Sequence, residues 1–593
     1  MNDSIDPCQD FAGHVCDGWN KKRSLSVREE TFMAAFDRMS RLVRTIIIPD
    51  VGQNSLQRAA RFYRSCDRVL KGERDELPEV KMALRKAGIV WPAVAKSHDT
   101  LHLLLYVALR LHWSVMLPMR VSQRENGTDV VFHYPTDLIS MVSKYVEIKK
   151  TPENEMSYVH SLREAFGANS NDSAEGLEEV QAMLRNEEYA IVTLYNDYTT
   201  SREPQPVNDS VLYNSVPGLT EARWKSVLGS FGIVTSGPVN FRTELTTYVP
   251  AFFKVWKDIG DKAMHVLVSW MTVQLAALYA NRRLILNFFG VKDAELRYGA
   301  LCFSKAYILS GNAVFKAYIR NMLFGNARAQ AEDIAMSVRQ SFYKRLRRWS
   351  AFNENYSFIA DWNYTGVVFR VFDDAPDSDG YGTEGTQGKP TADMSDSLVQ
   401  NWINGAGPLS LISSIGSYAA IENLRFYMWM NDTVLLPYVF AFPLFDRDAM
   451  VEMNYGGVGA ELARAISDYF VRAYKDDHPV EEVKQFMECV ASSLASRAAD
   501  SAAVNAIAAG PLFDAYRNHS QASLRRLPGL EHYAGAKLFF VAYCYTKCLG
   551  TSAGVADEAD CNEILRHVRG FAQVFECPPG TPMNPSAEPC ELF

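Results

Sequence analysis

The sequence predicts a mainly α-helical protein with a small β component. Three observations carry that prediction: long stretches with apolar residues at helical spacing, few stretches that alternate, and enough apolar residues for a large core. Of 593 residues, 48% are apolar, 12% aromatic and 22% charged, a balance foreign to disordered chains. The length exceeds one ordinary domain.

Residues 101–111, 175–185, 254–279, 327–348 and 458–474 repeat apolar side chains three to four apart, so each is expected to be helical. Alternation is confined to 129–133 and 433–442, the expected strands. The longest apolar run, 266–280, contains Ser269, Thr272 and Gln274 and stops at Asn281-Arg282-Arg283. It falls short of the roughly 18–20 residues that span a bilayer and reads as a buried helix. Residues 373–397 are too polar and Gly-rich to pack, so a mobile loop is expected there.

Sixty-one Lys and Arg against 69 Asp and Glu give a net charge of -8, without the clustered base of a nucleic-acid surface. No nucleic-acid partner is expected. Neither a Gly-x-Ser-x-Gly elbow nor a phosphate-cradling Gly-rich loop occurs. His98 and His102 sit four apart with Asp99 between them, but Ser97, Asp99 and Thr100 are helix-start residues, and a helix start is the better reading than a metal site.

Ten cysteines, at 8, 16, 66, 302, 489, 544, 548, 561, 577 and 590, crowd the two ends of the chain. No Cys-x-x-Cys pair supports a zinc ribbon; an even count fits a disulfide framework of open connectivity. Sequons for N-glycosylation stand at Asn2, Asn126, Asn171, Asn208, Asn355, Asn363, Asn431 and Asn518. Together they favour an extracellular ectodomain, secreted or at the cell surface. Met1-Asn2-Asp3-Ser4 is no signal peptide, so a signal or membrane anchor is expected to have been lost or to lie upstream.

Asp6-Pro7-Cys8-Gln9-Asp10-Phe11 with Cys16-Asp17-Gly18-Trp19 resembles the start of the neprilysin and endothelin-converting-enzyme family of zinc peptidases. The resemblance continues at Phe62-Tyr63-Arg64-Ser65-Cys66 and at Asn454-Tyr455-Gly456-Gly457-Val458-Gly459. It ends at Cys577-Pro578-Pro579-Gly580-Thr581-Pro582-Met583-Asn584-Pro585, with Cys590-Glu591-Leu592-Phe593 in place of a terminal Cys-x-x-Trp. It implies a two-lobed ectodomain: residues 1–19 docking on the C-terminal lobe, a helical lid over 20–348, and a thermolysin-like lobe over 349–593. It also implies the pairs Cys8–Cys577, Cys16–Cys548, Cys66–Cys302 and Cys489–Cys590. Cys544 and Cys561 are left as a fifth bridge or two buried thiols.

The family's zinc helix carries His-Glu-x-x-His, a spacing that turns both imidazoles to one metal. Aligned on the Asn-Tyr-Gly-Gly motif, those five positions here are Arg464-Ala465-Ile466-Ser467-Asp468. A guanidinium has no lone pair to give, and Ala465 is no base. The downstream Glu-x-x-x-Asp falls on Ser496 to Asp500, losing the third ligand. Arg464 and Asp468 are spaced for an i,i+4 ion pair. The family's peptide-holding Asn-Ala strand resembles Asn423-Leu424. Its transition-state His and Arg fall on Gly554 and Asp560 in one register, or on Asp560 and Arg566 in another, without a His in either.

The resulting expectation is a pseudopeptidase without a cofactor that binds a peptide or an extracellular protein. The rival expectations are an active zinc endopeptidase cleaving at hydrophobic residues, and a structural or receptor-binding scaffold.

Overall fold

The computed structural model describes residues 1–92, 98–113, 115–124, 127–133, 151–167, 200–213, 215–233, 237–291, 294–310, 313–349, 392–406, 427–429, 432–434, 437–472, 480–492, 499–519, 526–551, 561–586 and 589–592. The chain divides into two compact units. One comprises Met1–Leu42, Phe315–Ala375 and Leu424–Phe593; the other comprises Val43–Val314 and Pro376–Asn423.

The second unit holds the larger sheet. Its strands are Met119–Arg124 (β1), Gly127–Phe132 (β2), Thr200–Pro206 (β3) and Val239–Leu245 (β4), in the order β1-β2-β4-β3. β1 and β2 form an antiparallel pair, β2 and β4 run parallel, and β3 closes the edge antiparallel to β4. The strand expected at 129–133 is therefore the body of β2. The helix expected over 254–279 is two helices, Tyr248–Ile259 and Asp261–Ala277. Gly260 separates them with φ +83°, a left-handed conformation that glycine adopts without steric cost. From Ala263 to Ala277 every residue is buried, as the apolar run requires. Residues 175–185 lie outside the described residues.

Helix Leu398–Ala406 belongs to this unit because it packs on Ser55–Lys71 and Ala294–Ser310. The residues before it, 392–397, correct the C-terminal end of the mobile loop expected over 373–397. Asp393 accepts from the backbone N–H groups of Gly52 and Gln53, Met394 is buried, and Asp396 pairs with Arg61 and Arg68. The remainder of that loop is outside the described residues.

In the first unit, the N-terminal helix Phe11–Asn20 buries Phe11 against Phe571 and Phe575, with ring centroids 4.8 and 5.0 Å away. Helix Ala327–Leu346 packs on Ala460–Arg472 and Ala499–His519. Its contacts place it with the C-terminal segment, so the units do not divide at 348 and 349. Instead of one strand at 433–442 there is a short hairpin, Tyr427–Trp429 (β5) with Asp432–Val434 (β6), followed by a 3₁₀ turn at Pro437–Phe440.

Bridges join Cys8 to Cys577, Cys16 to Cys548, Cys66 to Cys302 and Cys489 to Cys590, the pairs that the resemblance implies. A fifth joins Cys544 to Cys561, which settles the alternative left open above. Among the described residues no single helix is long and apolar enough to cross a membrane.

Candidate functional site

Within Asn454-Tyr455-Gly456-Gly457-Val458-Gly459, Tyr455–Gly459 is a one-turn π-helix that launches helix Ala460–Arg472, here the site helix. Asn454 locks its start by accepting from Asp446 N–H at 3.0 Å and donating to Asp446 carbonyl oxygen at 2.8 Å. A Cβ on Gly457 would sit 2.1 Å from Leu444 carbonyl oxygen, and one on Gly456 only 2.7 Å from Tyr543 nitrogen. Val458 N–H donates to that same Leu444 oxygen at 2.7 Å. The two glycines are thus demanded by close backbone approach, and they fix where the site helix begins.

From that start, Glu461, Arg464, Ala465 and Asp468 fall on one face, at i, i+3, i+4 and i+7. Ala465 is buried, while Arg464 and Asp468 are partly so. Ser467, fully buried, donates to Val504 carbonyl oxygen at 2.6 Å and ties the helix to Ala499–His519. Asp500, in the first turn of that second helix, is exposed. Ser496, Asp560, Asn423 and Leu424 lie outside the described residues. Arg566 follows helix Cys561–Leu565, and one guanidinium nitrogen donates to Pro582 carbonyl oxygen at 3.3 Å.

The charge that organises this face is one the sequence reading missed. Glu461 is 0% exposed. Arg28, from helix Val27–Thr45, donates to its Oε1 through Nε at 2.8 Å and also through Nη2. Lys547 is buried as well and donates to Asn505 Oδ1 at 2.8 Å, lying 5.6 Å from the centre of the Tyr543 ring. Burial pushes the Glu461 carboxyl up, but the charges of Arg28, Lys547 and Arg464 outweigh it and hold the group below the usual carboxylate range. Burial, with a smaller push from the Glu461 charge, drives the Tyr543 phenol far upward, and Arg28 and Arg464 pull it back only in part. Glu461 carried one available signal, a carboxylate one turn before Arg464 on the same helix face. Arg28 and Lys547 carried none, because the fold alone brings them there.

These residues do not fit a zinc ion. A catalytic site needs about three N, O or S ligands around one position. Arg464 has no lone pair to offer, Ala465 presents a methyl group, and Asp468 is a single carboxylate. Glu461 is already held by a guanidinium. Among the described residues, the one group of three potential donors drawn within 4.8 Å of one another is Cys16, Cys544 and Cys561. All three sulfurs are committed to bridges.

The model of peptidase family M13, N-terminal part, matches residues 7–354. The chain belongs to peptidase family M13. Neprilysin-3 of Drosophila melanogaster is 18% identical across 100% of this chain and 85% of its own. Neprilysin-1 of Caenorhabditis elegans is 23% identical over 51% of this chain and 46% of its own. Endothelin-converting enzyme 1 of Cavia porcellus is 20% identical across 100% of the chain and 87% of its own. Among solved structures, the inhibitor complex of the Mycobacterium tuberculosis zinc metalloprotease ZMP1 matches with TM-score 0.66 and 16% identity, covering 100% of this chain and 98% of that one. PepO of Lactobacillus rhamnosis matches with TM-score 0.65 and 11% identity, covering 98% of each. At such identities the structural likeness speaks for the fold, which is the neprilysin-like one.

Of the sequons in the described residues, Asn208 and Asn518 are exposed. Asn2 instead spends its side chain locally, donating to Asp17 and accepting from Ser4. Asn126, Asn171, Asn355, Asn363 and Asn431 are outside the described residues.

Proposed function

We propose that this chain is a neprilysin-like pseudopeptidase: an extracellular ectodomain that binds a peptide or protein partner and does not hydrolyse it. One observation carries the reading. On a helix whose register is fixed by Asn454 and the Gly456-Gly457 pair, the family's two imidazoles and its general base are replaced by Arg464, Asp468 and Ala465. Metal-assisted hydrolysis needs a bound ion to acidify water and a base to take its proton. Loss of a positioned base alone costs about 10²–10⁴ in rate.

The Arg28–Glu461 pair supports the same reading, since it makes that face an ion-paired one. Five bridges and the exposed Asn208 and Asn518 support an oxidising, extracellular setting. By the family resemblance, Asn423, Leu424 and Arg566 would contact the bound peptide. The partner's identity would be read by these residues rather than by the lost metal.

The test is peptide turnover by the secreted full chain, with zinc added and with a chelator present. The expected result is binding of short apolar peptides with no chelator-sensitive cleavage. Chelator-sensitive cleavage that Asp468→Ala abolishes would return the chain to the active endopeptidases.

A further inference from the structure

The chain carries a net charge of -8, and one stretch runs against it. No Asp or Glu occurs between Asp333 and Glu354, while Lys344, Arg345, Arg347 and Arg348 crowd the end of helix Ala327–Leu346. Leu346 between them is fully buried, so the cations fan out around one anchored turn. Lys344, Arg347 and Arg348 are exposed, and the Arg345 side chain is 32% exposed.

A helix end attracts cations on its own account, because its last carbonyls and its dipole are negative. Helix Leu77–Lys86 ends that way, on Arg85 and Lys86. The end at Leu346 differs in how its guanidiniums are held. Arg345 turns to helix Ala499–His519 and donates through Nε to Asp514 Oδ2 at 2.6 Å. Gly510 makes room for it there, since a Cβ would sit 2.6 Å from Arg345 Nη1. Arg347 lies over the Tyr343 ring, 5.9 Å from its centre. Arg517 is exposed, shares a helix face with Asp514 three residues earlier, and lies 5.9 Å from the centre of the Phe513 ring.

Two helices thus bring guanidiniums to one surface, with Arg345 backed by a carboxylate and Arg347 and Arg517 each backed by a ring. A guanidinium held in this way keeps its plane and loses little freedom when an anion meets its N–H groups. Such forks match the paired oxygens of an oxyanion, which a lone ammonium does not. Surfaces dense in Lys and Arg take nucleic acid or heparin-like polyanions. This inference rests on the extracellular setting proposed above, where anionic lipid is out of reach because it faces the cytoplasm. Sulfated sugar chains are the polyanion that suits that setting.

We propose that Lys344, Arg345, Arg347, Arg348 and Arg517 form a docking surface for a sulfated polysaccharide, in the same unit as the site helix. Sulfate groups take the N–H edges of Arg347, Arg348 and Arg517, and Lys344 adds its charge. Arg345, engaged by Asp514, positions the two helices that carry the others. The surface retains the ectodomain on a polyanionic matrix.

Calorimetric titration of the full chain with a heparin oligosaccharide, over a range of salt, tests this. The first variant combines Lys344→Gln, Arg347→Gln, Arg348→Gln and Arg517→Gln, and it keeps Arg345 so that the pairing with Asp514 survives. The expected result is saturable binding by the wild type, weakened at least tenfold in this variant. The slope of log K against log salt should fall by about 3 for the four lost contacts. A second variant, Arg85→Gln, Lys86→Gln, Lys254→Gln and Lys257→Gln, removes exposed cations of the other unit and should bind as the wild type does. Four outcomes each overturn the proposal: no saturable binding by the wild type, unchanged binding by the first variant, equal losses in both variants, or equal affinity for single-stranded DNA of the same charge. Entry of the expressed chain into the medium is scored separately, so a failed extracellular reading is told apart from a failed docking surface.

Discussion

Glu76 in one unit and Glu461 and Glu452 in the other are all 0% exposed, and they are treated differently. Glu76 is met on both oxygens. Arg74 and Leu398 N–H donate to Oε1, and Ser397 Oγ donates to Oε2 at 2.6 Å. Because Leu398 opens a helix, the carboxylate also faces its positive end. Among the described residues, Glu461 is met by Arg28 on Oε1, and its Oε2 has no hydrogen-bond partner. No other described residue donates to either oxygen of Glu452. Among the same residues, the Tyr543 hydroxyl, which is buried near Glu461, is also unmet.

The contrast separates two kinds of buried charge. Glu76 serves only to join loop and helix ends, and its donors are complete. Around the site helix the buried polar groups are paired only in part. Native proteins keep few such orphans, and each needs a reason.

The largest expected effect comes from removing the Arg28 guanidinium. Arg28→Ala leaves the buried Glu461 without its hydrogen-bonded partner, facing only the charges of Lys547 and Arg464, and should cost about 3–5 kcal/mol, read from the midpoint of urea unfolding. Replacing both partners together, Arg28→Met with Glu461→Leu, should recover most of that loss. A small cost for Arg28→Ala would mean that Glu461 is as well supplied as Glu76, and the contrast would fail.

Glu452 gives a smaller effect of opposite sign. Burial pushes its carboxyl upward from 4.5, against weaker pulls from its own backbone N–H and from the Arg526 charge. The neutral form is therefore favoured in the folded chain. Its contribution to stability is fully present below the unfolded value of 4.5 and is lost as pH rises through the folded value. Glu452→Met should raise stability at neutral pH by about 1–3 kcal/mol, by removing two unmet oxygens, and the gain should vanish in acid.

His567 supplies a check with the reverse pH dependence. Burial, helped by the Arg566 charge, lowers it from 6.5 to about 4. Its contribution is present above 6.5 and is lost as pH falls toward 4. The unfolding temperature of His567→Gln should therefore fall less between pH 7 and pH 5 than that of the wild type.

How much of this was legible follows from the physics of each part. The terminal cysteine motifs and Asn454–Gly459 could be read because cysteine chemistry and close backbone approach tolerate few alternatives. Periodicity marked 254–279 as helical, yet only Gly260 at positive φ decided that it is two helices. The departure from the family's His-Glu-x-x-His was legible at Arg464, Ala465 and Asp468 because helix spacing is local. Arg28, Lys547 and Asn505 were not, since their meeting with the site helix depends on the whole unit's packing. The same holds for His98, whose neighbour in sequence is His102 and whose neighbours in space are Asp261 and His265.

Zinc-edge anomalous scattering from zinc-soaked crystals of the full chain tests the central claim most directly. The expected map has no peak within bonding distance of Asp468. A peak held by Asp468 beside Arg464 would contradict the loss of the metal site.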